Sequence, residues 1–415
     1  MDALRGADGE MEGDDYDGHC GGYSPHILIY LAVHYASMST KQRGEELQDF
    51  ITRIRDGNFE YAGREPEKIQ WAKYDQSQIR EAVDYLENVR DLVDEADRRI
   101  KARSPPDKRG PGRPPVEAAD IAKVLLMQTY TNSPNRVAEG LLLIFKEKLG
   151  ISRHFSYKTI ERGYDRDGVN AILDEVTKIV NETVEGKEKQ FAFDGTGFSG
   201  SAKENYAEKR RKQNARRKGS ESSKAGDELP VDAFPPSDLG GSRRFTYTLL
   251  GIGVEHKLIS GMVINPDQSI GETTMFPAVF SQTLSSHPGM ETALGDGIFA
   301  ARWLTELVSG EHVVPYFLPR RNVTFKSKGY TGWTPMLHSL WKDPQGWLET
   351  YHMRSIAETV NSMIKARFGA PLRKRLDPRR ETETRLKLVG HNVRRAGFLE
   401  EYEGIVPHWP RMRAI

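Results

Sequence analysis

The chain is poor in cysteine, in long apolar runs and in net charge, and each shortage removes a class of protein. One cysteine, Cys20, in 415 residues rules out an intrachain disulfide and a zinc site built from several thiolates, and it fits a reducing interior. His19, Cys20, His26 and His34 are spaced too irregularly for a zinc site and are set aside. The best apolar run near the start, "ILIYLAV" (27–33), is too short to span a bilayer and has no basic flank before it. It predicts a core element, no membrane role and a cytoplasmic protein. Net charge is +1, from 60 basic and 59 acidic residues, so the overall balance does not point to nucleic acid. The distribution does. Acids crowd the first 20 residues, and basic runs lie at 101–113, 203–218 and 366–380.

The length allows two or three domains. Residues 1–22 read as an acidic, disordered tail. Residues 23–104 read as a helical region without an assignable role, its clearest helix carrying Ile79, Val83, Leu86, Val89 and Val93 at three- and four-residue steps. "SPPDKRGPGRPPVE" (104–117), with five prolines and two glycines, marks a boundary. Its core, with Arg109 and Arg113, suits either a charged linker or an extended arm that follows a DNA minor groove. It opens a region, 105–185, of two helices, a turn capped by Ser156 and a third short helix. That pattern suits a helix-turn-helix offering Lys158, Arg162 and Arg166 to DNA, and equally a small helical bundle.

From 186 to 370 the texture changes. "KQFAFDGTGF" alternates like a strand, a hairpin turning near Glu255–Lys257 follows, and then helices alternate with strands in "ETTMFPAVFSQTL", "METALGDGIF", "ARWLTELVSG" and "HVVPYFLP". The sum is an α/β core, a mixed sheet flanked by helices. A polar insertion, 200–243, separates the first strand from the hairpin; its basic half, Lys209–Lys218, is either a solvated loop or a DNA contact. Residues 371–415 form a basic helical C-terminal segment.

"WLETYHMRSIAETVNSMIKARFG" (347–369) reads as one amphipathic helix stopped by Gly369 and Pro371. At about 100° per residue, Tyr351, Arg354, Glu358 and Lys365 fall in one stripe about 60° wide. Ile356, Val360, Met363 and Ile364 take the opposite, sheet-packing side. Two further acids, Asp194 and Asp296, stand near strand ends. Three carboxylates brought together from two strand ends and a crossing helix can hold two divalent ions, which prefer oxygen ligands.

These residues resemble those of the DDE transposases of bacterial and archaeal insertion sequences. The likeness rests on "FDGTGFS", "LGDGIF" and the Tyr-x2-Arg-x3-Glu-x6-Lys spacing of "YHMRSIAETVNSMIK". It implies a ribonuclease-H-like catalytic core in which Asp194, Asp296 and Glu358 are catalytic and bind two Mg²⁺ ions, Mn²⁺ substituting. Tyr351, Arg354 and Lys365 would contact DNA near the scissile phosphate, with Arg109 and Arg113 as further DNA contacts. The implied activity is metal-dependent cleavage at the element's terminal inverted repeats, freeing a 3′-OH that attacks target DNA. The implied partners are element ends and target DNA, with a homodimer or higher oligomer pairing two ends at the nucleoid. Asp194 and Asp296 are 102 positions apart, and Asp296 and Glu358 are 62 apart, too short for the large β-rich insertion of some relatives. "GDGIF" departs from the commoner Gly-Asp-Lys-Gly-Tyr form in lacking both Lys and Tyr. Two other readings remain: a DNA-binding remnant without catalysis, and a nuclease with the same core but no strand transfer.

Overall fold

A computed structural model describes residues 40–59, 68–104, 116–203, 243–266 and 270–412. Arg109, Arg113, Lys209–Lys218, His19, Cys20, His26 and His34 lie outside them. The chain divides into two compact units, Met1–Asn58 with Arg321–Thr324, and the remainder. In the first unit, helix α1 (Thr40–Arg55) is tied to the 321–324 segment. Gln48 Nε2 donates to the Val323 carbonyl at 3.0 Å, and Arg321 pairs with Asp56 at 2.5 Å.

The second unit opens with helices α2 (Trp71–Arg103), α3 (Ala118–Tyr130), α4 (Asn135–Phe145), α5 (Tyr157–Gly163) and α6 (Asp167–Glu182). The predicted apolar face of α2 is used only in its second half. Ile79 and Val83 are exposed, whereas Tyr85, Val89, Leu92, Val93 and Ala96 are buried in the core shared with the other helices. Ser156 starts α5 without a side-chain cap. Lys158 and Arg162 are exposed, but Arg166 falls between α5 and α6 and donates to the Val116 carbonyl at 2.7 Å.

The sheet follows: β1 (Gln190–Lys203), β2 (Arg243–Gly253), β3 (Ile259–Asn265), helix α7 (Glu272–Ser286), β4 (Thr292–Gly295), α8 (Arg302–Gly310) and β5 (Val314–Phe317). Its order is β3-β2-β1-β4-β5; β1, β2 and β3 pair antiparallel, and β4 and β5 add parallel to β1. Parallel strands need crossovers, which α7 and α8 supply. β1 is central and buried on both faces. Phe191 and Phe193 project to one side, where Phe193, Phe276, Phe299 and Phe317 form a ring cluster with centroids 4.9–6.1 Å apart. Ala192 projects to the other side with Leu250, Ile252 and Leu294, joining the helical core.

Helices α9 (Trp333–Lys342), α10 (Pro344–His352), α11 (Ser355–Phe368) and α12 (Asp377–Phe398) complete the unit. The edge strand β3 is covered by side chains. Asn392 of α12 accepts from the Ile259 amide at 2.9 Å and donates to its carbonyl at 2.7 Å, and Asn181 of α6 donates to the same carbonyl. Backbone groups at a sheet edge are thereby satisfied without a further strand. Among the described residues, no helix is long and apolar enough to cross a membrane.

Phe276 is fully buried and touches the other rings of the aromatic cluster. Phe276→Ala is expected to lower unfolding free energy by about 3–5 kcal/mol, measured by denaturant titration.

Candidate active site

Strand register brings the two aspartates level. Phe193 pairs with Gly295 across the parallel β1–β4 ladder, so Asp194 and Asp296 are the next residues on adjacent strands, whose axes lie about 4.8 Å apart. Side chains at matched positions of parallel strands leave by the same face. β4 ends at Gly295, whereas β1 runs on to Lys203. That edge of β1 finds its next partner only where Leu372 bridges Gly200. Asp194, expected near a strand end, thus lies inside β1, at the point where its ladder with β4 stops.

Asp194 Oδ2 accepts from Asn361 Nδ2 at 2.8 Å, and Asp296 accepts from the Gly297 amide at 2.5 Å. Burial raises the Asp194 pKa above the ordinary value, and the nearby Glu358 carboxylate adds to it; the Gly195 amide, Asn361 and Arg354 oppose the rise. Glu358 is exposed and pairs with Arg354 at 3.0 Å.

The single helix expected over 347–369 is two. α10 ends at His352, Met353 and Arg354 form a turn, and α11 begins at Ser355. Hydrogen bonds from the amides of Arg354, Ile356 and Ala357 reach back three residues instead of four, tightening the backbone there. The expected stripe is divided by this break. Tyr351 is 4% exposed and stacks on Trp347 at 5.2 Å, and the Arg354 guanidinium lies 5.3 Å from its ring centre. Burial disfavours the Arg354 charge, yet Tyr351, Asp296 and Glu358 outweigh burial and hold its pKa above normal. Its buried Nε has no acceptor among the described residues. Lys365 lies over the Phe198 ring of β1 at 5.9 Å.

α11 is anchored along its length. Ala357, Val360, Ile364 and Phe368 are buried, and Gly369, at φ 78°, ends the helix in a conformation that favours glycine. Lys387 Nζ donates to the Gly369 and Pro371 carbonyls at 2.6 and 2.9 Å; burial lowers its pKa to about 8. Arg367 donates to the Tyr130 carbonyl and lies 3.8 Å from that ring's centre, tying α11 to α3.

Three site residues escaped the sequence reading. Asn361 is three residues beyond Glu358, one helical turn away, and its polarity on a buried side was the available signal. Glu272, the first residue of α7, accepts a hydrogen bond from the Tyr247 hydroxyl. Burial raises its pKa, as do Asp194 and Asp296. Nothing in the sequence distinguishes Glu272 from an ordinary helix-start acid, nor marks Tyr247 as its partner.

A tighter grouping of ligating atoms lies elsewhere. Glu188, Glu255 and His256 have theirs within 4.8 Å of one another, just before β1 starts and about 20 Å of strand from Asp194. Glu188 there accepts from the amides of Glu255 and His256 and contacts His256 Nδ1, so it acts as the lock of the β2–β3 turn. The oxygens of Asp194, Asp296 and Glu358 stand further apart than that trio, as mutually repelling charges do.

Because folding raises the Asp194 pKa, the folded state binds its proton more readily than the unfolded chain does, and stability falls as pH rises through the folded pKa. With chelator present, Asp194→Asn is expected to raise the melting temperature at pH 7. The gain should shrink as pH is lowered toward the ordinary carboxylate value, checked by thermal melts across pH.

No protein-family model matches the chain, and no solved structure does. Over 350 residues the chain is 26% identical to a probable transposase for insertion sequence element ISA1214 from Archaeoglobus fulgidus, covering 84% of this chain and 94% of that protein. That likeness supports a transposase, and thus an enzyme, without specifying its type or its catalytic residues.

Proposed function

We propose that the protein is a DDE transposase with a ribonuclease-H-like core, which binds the terminal inverted repeats of its element and carries out strand cleavage and strand transfer. The observation that carries the reading is the level placement of Asp194 and Asp296 on adjacent parallel strands, with Glu358 close enough to disfavour the Asp194 charge. Similarity over most of the chain to a protein named a probable transposase supports it, and so does the 3-2-1-4-5 strand order.

Divalent cations fit the donor set, which is carboxylate oxygens plus the amide of Asn361, whose buried Oδ1 has no partner among the described residues. Asp194, Asp296 and Glu358 are the residues that would hold Mg²⁺ or Mn²⁺. When bound, such cations supply charge stabilisation at the attacking and leaving oxygens of an in-line phosphoryl displacement. Asn361 orients Asp194 by its 2.8 Å hydrogen bond. Arg354 braces Glu358 through Nη1 and keeps further donors for a phosphate oxygen. Tyr351, buried against Trp347, is the platform that holds Arg354, and Lys365 offers a point charge further along α11. In hydrolysis a water oxygen replaces the 3′-oxygen on phosphorus. In transfer the freed 3′-hydroxyl attacks a target phosphodiester, forming one P–O bond and breaking one, so no covalent enzyme intermediate is required. Residues 116–185, with exposed Lys158 and Arg162, together with Arg109 and Arg113, are proposed to bind the repeats. Pairing of two ends calls for a dimer or larger assembly.

The test uses purified full-length protein, Mg²⁺ or Mn²⁺, and duplex DNA carrying the inverted repeats that flank its gene. Wild type is expected to nick at the repeat boundary and to yield joined products. Glu358→Gln should lose at least about a hundredfold in rate while retaining repeat binding. Binding without cleavage by either protein would mean a DNA-binding remnant, and cleavage without joined products a nuclease.

A further inference from the structure

The basic run at 366–380 starts in the last turn of α11, and most of its charge is spent inside the protein. Arg367 reaches the Tyr130 carbonyl and Glu81. Arg380 is buried and donates to Asp377 and to the Pro266 carbonyl. Arg379 pairs with Glu161 and Asp165, and Lys374 pairs with Glu161 at 2.6 Å while its Nζ lies 3.9 Å from the centre of the Tyr164 ring. These contacts fasten the segment after α11 to α3 and α5, and they account for the charges that make them.

Arg373 is different. Its side chain is exposed and makes no hydrogen bond or ion pair among the described residues. Its amide and that of Lys374 donate to the Glu383 carboxylate at 2.8–2.9 Å. Glu383 thus spends both oxygens on backbone and shapes the turn, leaving the Arg373 guanidinium without a counter-charge.

Arg373 lines a cleft of about 490 Å³ between the α3–α4 turn, α5 and the start of α12, a volume in the range of small-ligand sites. Arg373, Lys374, Arg375, Arg379 and Lys387 line it against two carboxylates, Glu161 and Glu383, both engaged as described. An excess of cations at close quarters calls for an anion, and guanidinium forks favour the paired oxygens of a phosphate.

The cleft lies between two surfaces already assigned to DNA. Phe368, the last residue of α11, forms part of its wall, ten positions (368 − 358) from Glu358 and so about 15 Å along the helix. That is the rise of about four to five base pairs. On the other side is α5, with exposed Lys158 and Arg162. The segment carrying Arg373 is held against β1, where the Leu372 amide donates to the Ser199 carbonyl at 2.8 Å.

We propose that this cleft seats a phosphate of the element-end DNA, about four to five base pairs from the cut, with Arg373 as its main donor and Arg375 beside it. The proposal rests on the DNA-binding reading above and adds a contact outside the Tyr-Arg-Glu-Lys series. Lys374 and Arg379 shape the cleft, and Glu161 holds them.

The probes are a duplex carrying the inverted repeat and a shuffled duplex of equal length, titrated with full-length protein in chelator across a range of salt and followed by fluorescence anisotropy. The double variant Arg373→Gln with Arg375→Gln changes two exposed positions, and its melting temperature checks folding. It is expected to weaken binding to both duplexes about tenfold and to flatten the slope of log affinity against log salt by about 0.9, the share of one phosphate. Arg373→Lys with Arg375→Lys keeps the charge and should keep the slope. Lys187→Gln, exposed before the start of β1, is the control and should change neither quantity. Ethylation of single phosphates should weaken wild-type binding at a position about four to five base pairs from the cut and leave the binding of the Gln variant unchanged there. Wild-type affinity and slope in the Gln variant would reduce the run to internal ion pairs and leave the transposase reading intact. Saturable binding of inorganic phosphate that the Gln variant lacks, with DNA affinity unchanged, would make the cleft a site for free phosphate and overturn the DNA assignment. If wild type binds neither duplex, the DNA-binding reading and the role of the cleft fall together.

Discussion

Everything at the site depends on the register between β1 and β4. Pairing of Phe193 with Gly295 sets Asp194 and Asp296 side by side on one face. A slip by one residue would send one of them to the opposite face, because side chains alternate along a strand. The register is held from the other side of the sheet. Phe191 and Phe193 occupy alternate positions on β1, and Phe193 packs into the cluster with Phe276, Phe299 and Phe317. A Cβ on Gly295 would collide with Phe299, so the residue paired with Phe193 must be small. Apolar packing on one face thereby fixes polar chemistry on the other.

The helical layer does the corresponding work for Glu358. Burial of Ala357, Val360, Ile364 and Phe368 presses α11 onto the sheet, and the capping by Lys387 and the contacts of Arg367 hold its far end. The break at Met353–Arg354 separates two tasks. α10 buries Tyr351 and Trp347 as an aromatic base, and α11 presents Glu358 and Asn361. Arg354 sits at the joint between them, where it can answer both to Tyr351 and to the acids.

Much of this was legible in the sequence because strand alternation and helix periodicity leave strong local patterns. The strands around Asp194 and Asp296, the hairpin turn and the helices α7 and α8 follow from them. The break inside 347–369 was not legible, since "YHMRSIAE" contains neither Pro nor Gly and its periodicity runs through the turn. Nor was the burial of Tyr351, which comes from stacking on Trp347, a residue four positions earlier on α10. Asn361 left only a weak signal, a polar residue on a buried side, and Glu272 left none. Their proximity to Asp194 is tertiary: it arises from the return of the chain after β3 and from the docking of α11, and no spacing rule encodes either.

On the proposed function, Asp194 within β1 and Asp296 just past the end of β4 are gathered to hold cations. The most direct measurement is an anomalous difference map from crystals of the protein soaked in Mn²⁺. The account predicts a peak within about 2.0–2.6 Å of carboxylate oxygens of both Asp194 and Asp296. A map with no peak there, or with one only at Glu188 and His256 below the start of β1, would contradict it.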